Sequence, residues 1–239
     1  MTRSVPKFEV RKAVAAAKVL AANPGDLPKV FTIIEALSGG TQARIARRLA
    51  KTESGQRLLR DRPDVVDRLE DRAALARLPE GSLGRAYLAF VESEQISAAG
   101  IRAAAVEGTS RRLPAPFDYV HARMRDTHDL WHAATGYKAD ILGEVGLLAF
   151  MFAQTRNPGV ALILGIGMLK LSSVPGALSL IADGYRRGRK AAYLPAVEWE
   201  SLLDQPVSSV RAQLSLEAPR EYQPLRGPMP GRPAAVATA

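Results

Sequence analysis

The sequence predicts an all-α protein: a single multi-helix domain with a metal site between two neighbouring helices and an apolar, lipid-accepting helical segment. Three observations carry this expectation. Apolar residues recur at helical spacing along most of the chain, and no run alternates with the period of two that a half-buried strand needs. Residues that stop or redirect helices stand between the periodic stretches, at Asn23-Pro24-Gly25, Gly39-Gly40, Pro79-Glu80-Gly81, Pro114, Gly136, Pro158 and Pro175. Finally, 239 residues with 47% apolar and 24% charged side chains are enough for one generous core, and they leave disorder unexplained by composition.

Between those breaks the spacing predicts helices over about 10–22, 28–38, 41–51, 82–95, 115–135, 140–155, 158–171, 174–188 and 197–214. Residues 1–27 read as an N-terminal extension and 28–218 as the helical domain. The stretch 219–239 runs Pro-Met-Pro-Gly-Arg-Pro in its middle and has too few apolar residues to fold, so it reads as a disordered tail. No internal repeat is visible.

From Val145 to Ala182 only Arg156 and Lys170 carry charge, which divides the segment into uncharged stretches of 11, 13 and 12 residues. All three fall short of the roughly 20 residues a membrane span requires. A buried helical core is the simplest reading, and a slot for a long lipid chain is the functional one. Arg186-Arg187-Gly188-Arg189-Lys190 follows directly. Such a cluster suits an anionic membrane surface, at about 1 kcal/mol per charge near the surface, or the C-terminal dipole of a solvated helix. Peripheral membrane contact is therefore expected.

The formal charge of +9 admits nucleic acid, an anionic membrane or plain solubility, and with only 8 lysines among 33 basic residues it decides nothing alone. The absence of cysteine excludes disulfides and thiolate chemistry, and limits any metal site to nitrogen and oxygen ligands. Charged residues from Arg3 to Lys12 interrupt any secretory signal, while Glu9 and Asp26 argue against a mitochondrial presequence. The expected location is the cytoplasm of a bacterium.

The chemistry gathers around the three histidines, His121, His128 and His132. On a helix over 117–135 they share a stripe with Phe117, Val120, Met124 and Trp131, while Arg123 and Asp126 face away. His128 and His132 are one turn apart, about 6 Å, so both rings can reach one ion, and Asp129 lies on the flank of the same stripe. On a continuous helix Glu144 would stand about 18 Å beyond His132. Gly136 is a natural C-cap and Asp140 a natural N-cap, so the chain can turn back and bring Glu144 alongside. Ile141, Leu147, Leu148 and Met151 place Glu144 on an apolar face, where a bare carboxylate is costly and a cation relieves it. His121, about 10 Å from His128 along the axis, reads as a satisfied core histidine. One divalent ion held by His128, Asp129, His132 and Glu144 is the expectation. The shorter Asp129 and the lack of a third histidine ligand separate this pattern from zinc peptidases.

His128-Asp129-Leu130-Trp131-His132, then eleven residues and Glu144, resembles the signature of the ubiquinone (coenzyme Q) biosynthesis family often called Coq-four. The surroundings are similar to that family as well: Phe117-Asp118-Tyr119-Val120, Arg123 to Asp126, and Leu142-Gly143-Glu144, with Gly55 to Pro63 and Leu83-Gly84 upstream and Gly188-Arg189 and Trp199-Glu200 downstream. The resemblance implies a helical, membrane-associated protein acting on polyprenylated ubiquinone precursors. It implies a bound divalent metal, zinc, at the four residues above. The implied activity is removal of the ring C1 carboxylate of a prenylated 4-hydroxybenzoate in an oxidative form that leaves a hydroxyl, beside other ubiquinone-biosynthesis proteins. If oxygen takes part, iron, manganese or cobalt suits this ligand set better than zinc. Arg125, one turn before Asp129, is the candidate to orient it. The expected setting is the inner face of a bacterial inner membrane, and the expected assembly a homo-oligomer.

Two other classes compete. A scaffold would use the metal structurally and present the lipid to partner enzymes. A DNA-binding reading rests on Thr41 to Ala50 as the first helix of a helix-turn-helix, with Ser54-Gly55 as its turn. Leu58-Leu59 in the following helix is unsuited to a groove, so no nucleic-acid partner is expected.

Overall fold

The computed structural model describes residues 8–23, 25–109 and 112–226, and among these it contains fourteen α-helices and no strand. They are α1 Val10–Ala22, α2 Leu27–Ala36, α3 Thr41–Leu49, α4 Glu53–Asp61, α5 Val65–Glu70, α6 Arg72–Ala76 and α7 Leu83–Ser93. There follow α8 Ala98–Gly108, α9 Phe117–Asp126, α10 His128–Thr135, α11 Ile141–Thr155, α12 Pro158–Lys170, α13 Ala177–Lys190 and α14 Val207–Gln213. Among the described residues no helix is long and apolar enough to cross a membrane.

Most predicted helices are present, and the differences have local causes. The short helices α4, α5, α6 and α8 lie where the apolar spacing predicts none. Each begins on a side-chain cap instead: Thr52 accepts from Gly55 N–H, Asp64 from Val66, Asp71 from Ala74 and Ser97 from Gly100. The helix expected over 115–135 is divided at Thr127, whose hydroxyl donates back to the Arg123 carbonyl at 2.8 Å, a contact that bends helices. Pro206 confines the helix expected over 197–214 to α14 and a 3₁₀ turn at Trp199–Ser201. The turn between α3 and α4 falls at residues 50–52, and Gly55 sits inside α4 against Leu49, so the helix-turn-helix reading is wrong in its turn as well as its second helix.

The main core joins α7, α10, α11 and α13 around Leu83, Tyr87, Trp131, Leu147, Phe150 and Leu180, all buried. Side chains of this size contribute about 1.5–3 kcal/mol each when buried. Helix α13 lies on α11 with backbone against backbone. A Cβ at Gly184 would collide with the Gly146 carbonyl, and one at Gly188 would stand 2.6 Å from that of Phe150. Smaller clusters join α3 to α9 through Ile45, Leu49 and Val120, and α1 to α2 and α12 through Leu20, Ile33 and Ile163.

Two surface expectations meet a different arrangement. Within the basic cluster at the end of α13, Arg187 is turned inward while Arg186, Arg189 and Lys190 stay exposed. Arg187 is 2% exposed and donates to the Thr135 carbonyl at 2.7 Å and to that of Glu217. Its cation thereby meets the C-terminal carbonyls of α10. Arg186 pairs with Asp183 and Glu217 at 2.6 and 3.0 Å, and Lys190 with Glu217 at 3.1 Å. The start of the C-terminal tail, 219–226, runs against the N-terminus of α11. There the Tyr222 hydroxyl and Leu225 N–H donate to Asp140 at 3.1 and 3.0 Å. The rest of the tail, 227–239, lies outside the described residues, as do residues 1–7.

Candidate metal centre and ring-sized cavity

Helix α10 ends where Gly136 takes a left-handed conformation (φ 84°) and its N–H closes on the His132 carbonyl at 2.8 Å. Asp140 then caps α11, accepting from Leu142 and Gly143 at 3.0 and 3.4 Å. This tight reversal places Glu144, in the first turn of α11, beside the two histidines of α10. His132 Nε2 stands 3.4 Å from Glu144 Oε1, and His128 Nε2 stands 3.9 Å from Oε2. One donor atom from each of the three residues lies within 4.8 Å of the others. The imidazoles meet edge to face, with centroids 4.9 Å apart.

The surroundings fix which nitrogen faces the cluster. His132 Nδ1–H donates to the Tyr137 carbonyl at 3.0 Å, and the ring stacks on Phe90 at 5.0 Å, which leaves Nε2 directed to Glu144. That Nε2 is buried and has no hydrogen-bond partner among the described residues. Asp129 differs from its expected place. Its Oδ1 is 3.2 Å from His128 Nδ1, so it steadies the ring from behind, while its buried Oδ2 has no partner among the described residues. Burial pulls the His128 pKa down, but the Asp129 hydrogen bond and the charges of Glu144 and Asp129 together push it above its ordinary value.

Glu144 is 36% exposed at the rim, where the helix dipole of α11 favours an anion, so the argument from an interior carboxylate belongs to Asp129, at 7%. A buried polar atom without a partner costs about 1–3 kcal/mol. A divalent cation at this cluster removes that penalty for His132 Nε2 and lies within reach of an all-nitrogen-and-oxygen donor set. The residues present fit such an ion.

Arg125 does not orient Asp129. It donates to both oxygens of the adjacent Asp126, at 2.6 and 3.1 Å, because Asp126 is buried and needs its charge balanced. Arg102 completes that balance at 2.6 Å. Arg123 and Asp126 face away from the histidine stripe as expected, yet into protein rather than water. Arg123 is 5% exposed and makes a two-pronged bond to Glu200 at 2.8 and 2.9 Å.

An apolar cavity of about 110 Å³ adjoins the cluster. Its walls come from α2, α3, α9, α11 and α12, and include Phe31, Ile34, Ile45, Met124 and Leu148, with His128 at one end. An apolar cavity of about 150 Å³ takes a benzene-sized ring, so this one is of ring dimensions. Only Val160 and part of α11 represent the apolar segment from Val145 to Ala182. Sequence reasoning missed the contribution of α2 and α3, because residues so distant in the chain leave no local signal.

Residues 4–220 match the family described as Coenzyme Q (ubiquinone) biosynthesis protein Coq4. A protein of Talaromyces stipitatus named Ubiquinone biosynthesis protein coq4, mitochondrial, is 30% identical over 206 residues, 83% of this chain and 70% of its own length. A homologue so named from Rattus norvegicus is 28% identical over 228 residues, covering 92% and 82%. A crystal structure of a candidate ubiquinone biosynthesis protein from Nostoc punctiforme superposes with a TM-score of 0.67 at 26% identity, covering 89% of this chain and all of that one.

Proposed function

Because the chain belongs to the coenzyme Q (ubiquinone) biosynthesis Coq4 family, we propose that it acts in that synthesis by removing the ring carboxylate of a polyprenylated 4-hydroxybenzoate at a divalent metal held by His128, His132 and Glu144. The observation that carries the reading is the buried His132 Nε2, which has no hydrogen-bond partner among the described residues and lies 3.4 Å from Glu144 Oε1, beside an apolar cavity that His128 helps to line. A bound divalent ion would supply Lewis-acid polarisation of the carboxylate and stabilise charge developing on the ring.

The protein supplies the rest. The apolar walls strip water from the ring and its carboxylate, which strengthens every electrostatic contact made there. Tyr137 fixes the tautomer of His132, and Asp129 steadies His128. His128, His132 and Glu144 would hold the ion, and with Asp129 steadying His128 a position would remain for substrate, as a catalytic site requires. In simple decarboxylation the bond from C1 to the carboxylate breaks, carbon dioxide leaves and C1 takes a proton. In the oxidative form a hydroxyl takes its place, with oxygen as oxidant and two electrons from outside the site. Zinc, the family expectation, serves the first; iron, manganese or cobalt serves the second.

The polyprenyl tail exceeds the cavity and would leave it along apolar surface. Exposed Val10, Val14, Val19 and Leu27, with Met168, Leu169 and Leu178 on the neighbouring α12 and α13, support peripheral attachment to the inner face of a bacterial membrane. The paired cluster at Arg186–Lys190 gives it less support than the sequence suggests.

Metal analysis of freshly purified protein, with carboxyl-labelled prenylated 4-hydroxybenzoate in air and without oxygen, tests the reading. Labelled carbon dioxide in air alone supports the oxidative route, and in both conditions simple decarboxylation. No release from metal-loaded protein moves the assignment to a scaffold that holds the lipid for other ubiquinone-biosynthesis enzymes.

A further inference from the structure

Seven residues before His128, about 10 Å along a helical path, α3 and α9 bring together two polar side chains that line the same cavity and that the metal cluster does not use. Gln42 Nε2 lies 3.3 Å from His121 Nδ1. Both residues line the apolar cavity, and both also line a second, polar cavity of about 370 Å³ that opens outward past Ser38, Arg112 and Asp118. The pair thus stands as the partition between the two. Gln42 is 5% exposed, and its Oε1 is closed to solvent without a partner among the described residues. An amide oxygen in that state costs about 1–3 kcal/mol, and the fold keeps it on a wall that is otherwise largely apolar.

The hydrogen-bond inventory of the pair is fixed whichever way the amide and the ring are assigned. With Gln42 N–H donating to His121 Nδ1, the imidazole keeps its proton on Nε2 and the pair offers one donor, Nε2–H, and one acceptor, Oε1. With the amide turned, Nδ1–H donates to the amide oxygen. The free amide N–H is then the donor and Nε2 the acceptor. The ring is neutral in either case, because burial, and then the charge of Arg125, lower the His121 pKa.

One donor beside one acceptor is complementary to a hydroxyl group, which both gives and takes a hydrogen bond. Neither a carboxylate, which only accepts, nor an ammonium, which only donates, satisfies both. We infer that the Gln42–His121 pair is a hydroxyl-recognition site that selects rings bearing a phenolic hydroxyl and sets them with that hydroxyl away from His128. The inference rests on the decarboxylation reading only in naming which hydroxyl this is in the substrate, the one across the ring from the carboxylate. A ring so held has its two ends distinguished by chemistry: the end at His128 meets the cation cluster and the end at Gln42 meets a neutral donor and acceptor. A site built to bond a hydroxyl discriminates strongly against rings that lack one, since its own buried groups are then left unpaired.

The test uses phenol and toluene, which match in shape and carry no carboxylate, titrated into the full-length protein by ligand-detected NMR with and without zinc. Phenol is expected to bind about tenfold tighter than toluene, the yield of two neutral hydrogen bonds. Gln42→Leu and His121→Phe should each bring that ratio close to one while toluene binding persists, which shows that the cavity is still formed. In the wild-type protein the imidazole nitrogen signals of His121 should shift with phenol and stay still with toluene. An unchanged ratio in folded variants overturns the inference. So does a His121 signal indifferent to phenol, which needs no variant at all. Carbon dioxide release enters none of these readouts. A protein that discriminates phenol but never decarboxylates keeps this site and loses the reaction, and the converse outcome keeps the reaction and loses the site.

Discussion

Helices α9 and α10 carry two buried polar regions that follow opposite rules. On α9, Arg123 meets Glu200 and Asp126 meets Arg102 and Arg125, each charge answered at 2.6–3.1 Å. On α10, two turns away, His132 Nε2 and Asp129 Oδ2 are as deeply buried and have no partner among the described residues. Both regions are charged or polar positions on neighbouring helices, and sequence alone does not say which of them find partners. A fold that answers every charge in one place and leaves donor atoms open in the next reserves the second for something it binds. Paired charges hold helices together; open ones await a ligand.

Four measurements break or sharpen that contrast. Arg123→Ala should have the largest effect, lowering stability by about 3–5 kcal/mol in urea unfolding, because Glu200 loses its buried partner. It should do so with or without added divalent ion. Glu144→Gln should be nearly neutral to the ion-free protein, yet remove its stabilisation by added cation, about 2.7 kcal/mol at a concentration of 100 times Kd. Cation-dependent stabilisation that survives in Glu144→Gln breaks the contrast. Tyr222→Phe removes one hydrogen bond to Asp140 and should cost about 1 kcal/mol in the same unfolding assay, with cation binding kept.

The smallest effect concerns pH. With its folded pKa held above the ordinary 6.5, a protonated His128 stabilises the ion-free protein. That contribution is complete below 6.5 and is lost as the pH rises through the raised value. Cation affinity should run the other way, weakening as the pH falls through the same range, because the proton and the ion compete for one ring. Opposite slopes for ion-free stability and ion affinity are the expected pair; parallel slopes would place His128 outside the cluster.

The sequence made the helical class and the approach of Glu144 to His128 and His132 legible, because one-turn spacing, the Gly136 stop and the Asp140 cap are local signals. It sets Asp129 on the flank of the same stripe, but spacing does not reveal that Oδ1 turns to the neighbouring His128 ring. It reads His121 as a satisfied core histidine, and the structure supplies the partner, Gln42, which is 79 residues away and joined to it by no sequence pattern. The short helices α4, α5, α6 and α8 are hidden because their segments are charged or alanine-rich and carry no clear apolar stripe, although Thr52, Asp64, Asp71 and Ser97 mark each start. Arg187 looked like surface charge, and only its long-range partners Thr135 and Glu217 make it an interior staple.

The glycine contact between α13 and α11 has a mechanical consequence for the cavity. Where Gly184 and Gly188 bring the two backbones together, α13 backs α11 closely, and the α11 wall with Leu148 and Met151 has little room to give on that side. The facing wall is made of Val30, Ile34, Gln42 and Ile45, side chains of two short helices that can swing and re-seat. Compliance is therefore one-sided. A guest larger than the resting volume is expected to displace α2 and α3 before α11, the helix that carries Glu144.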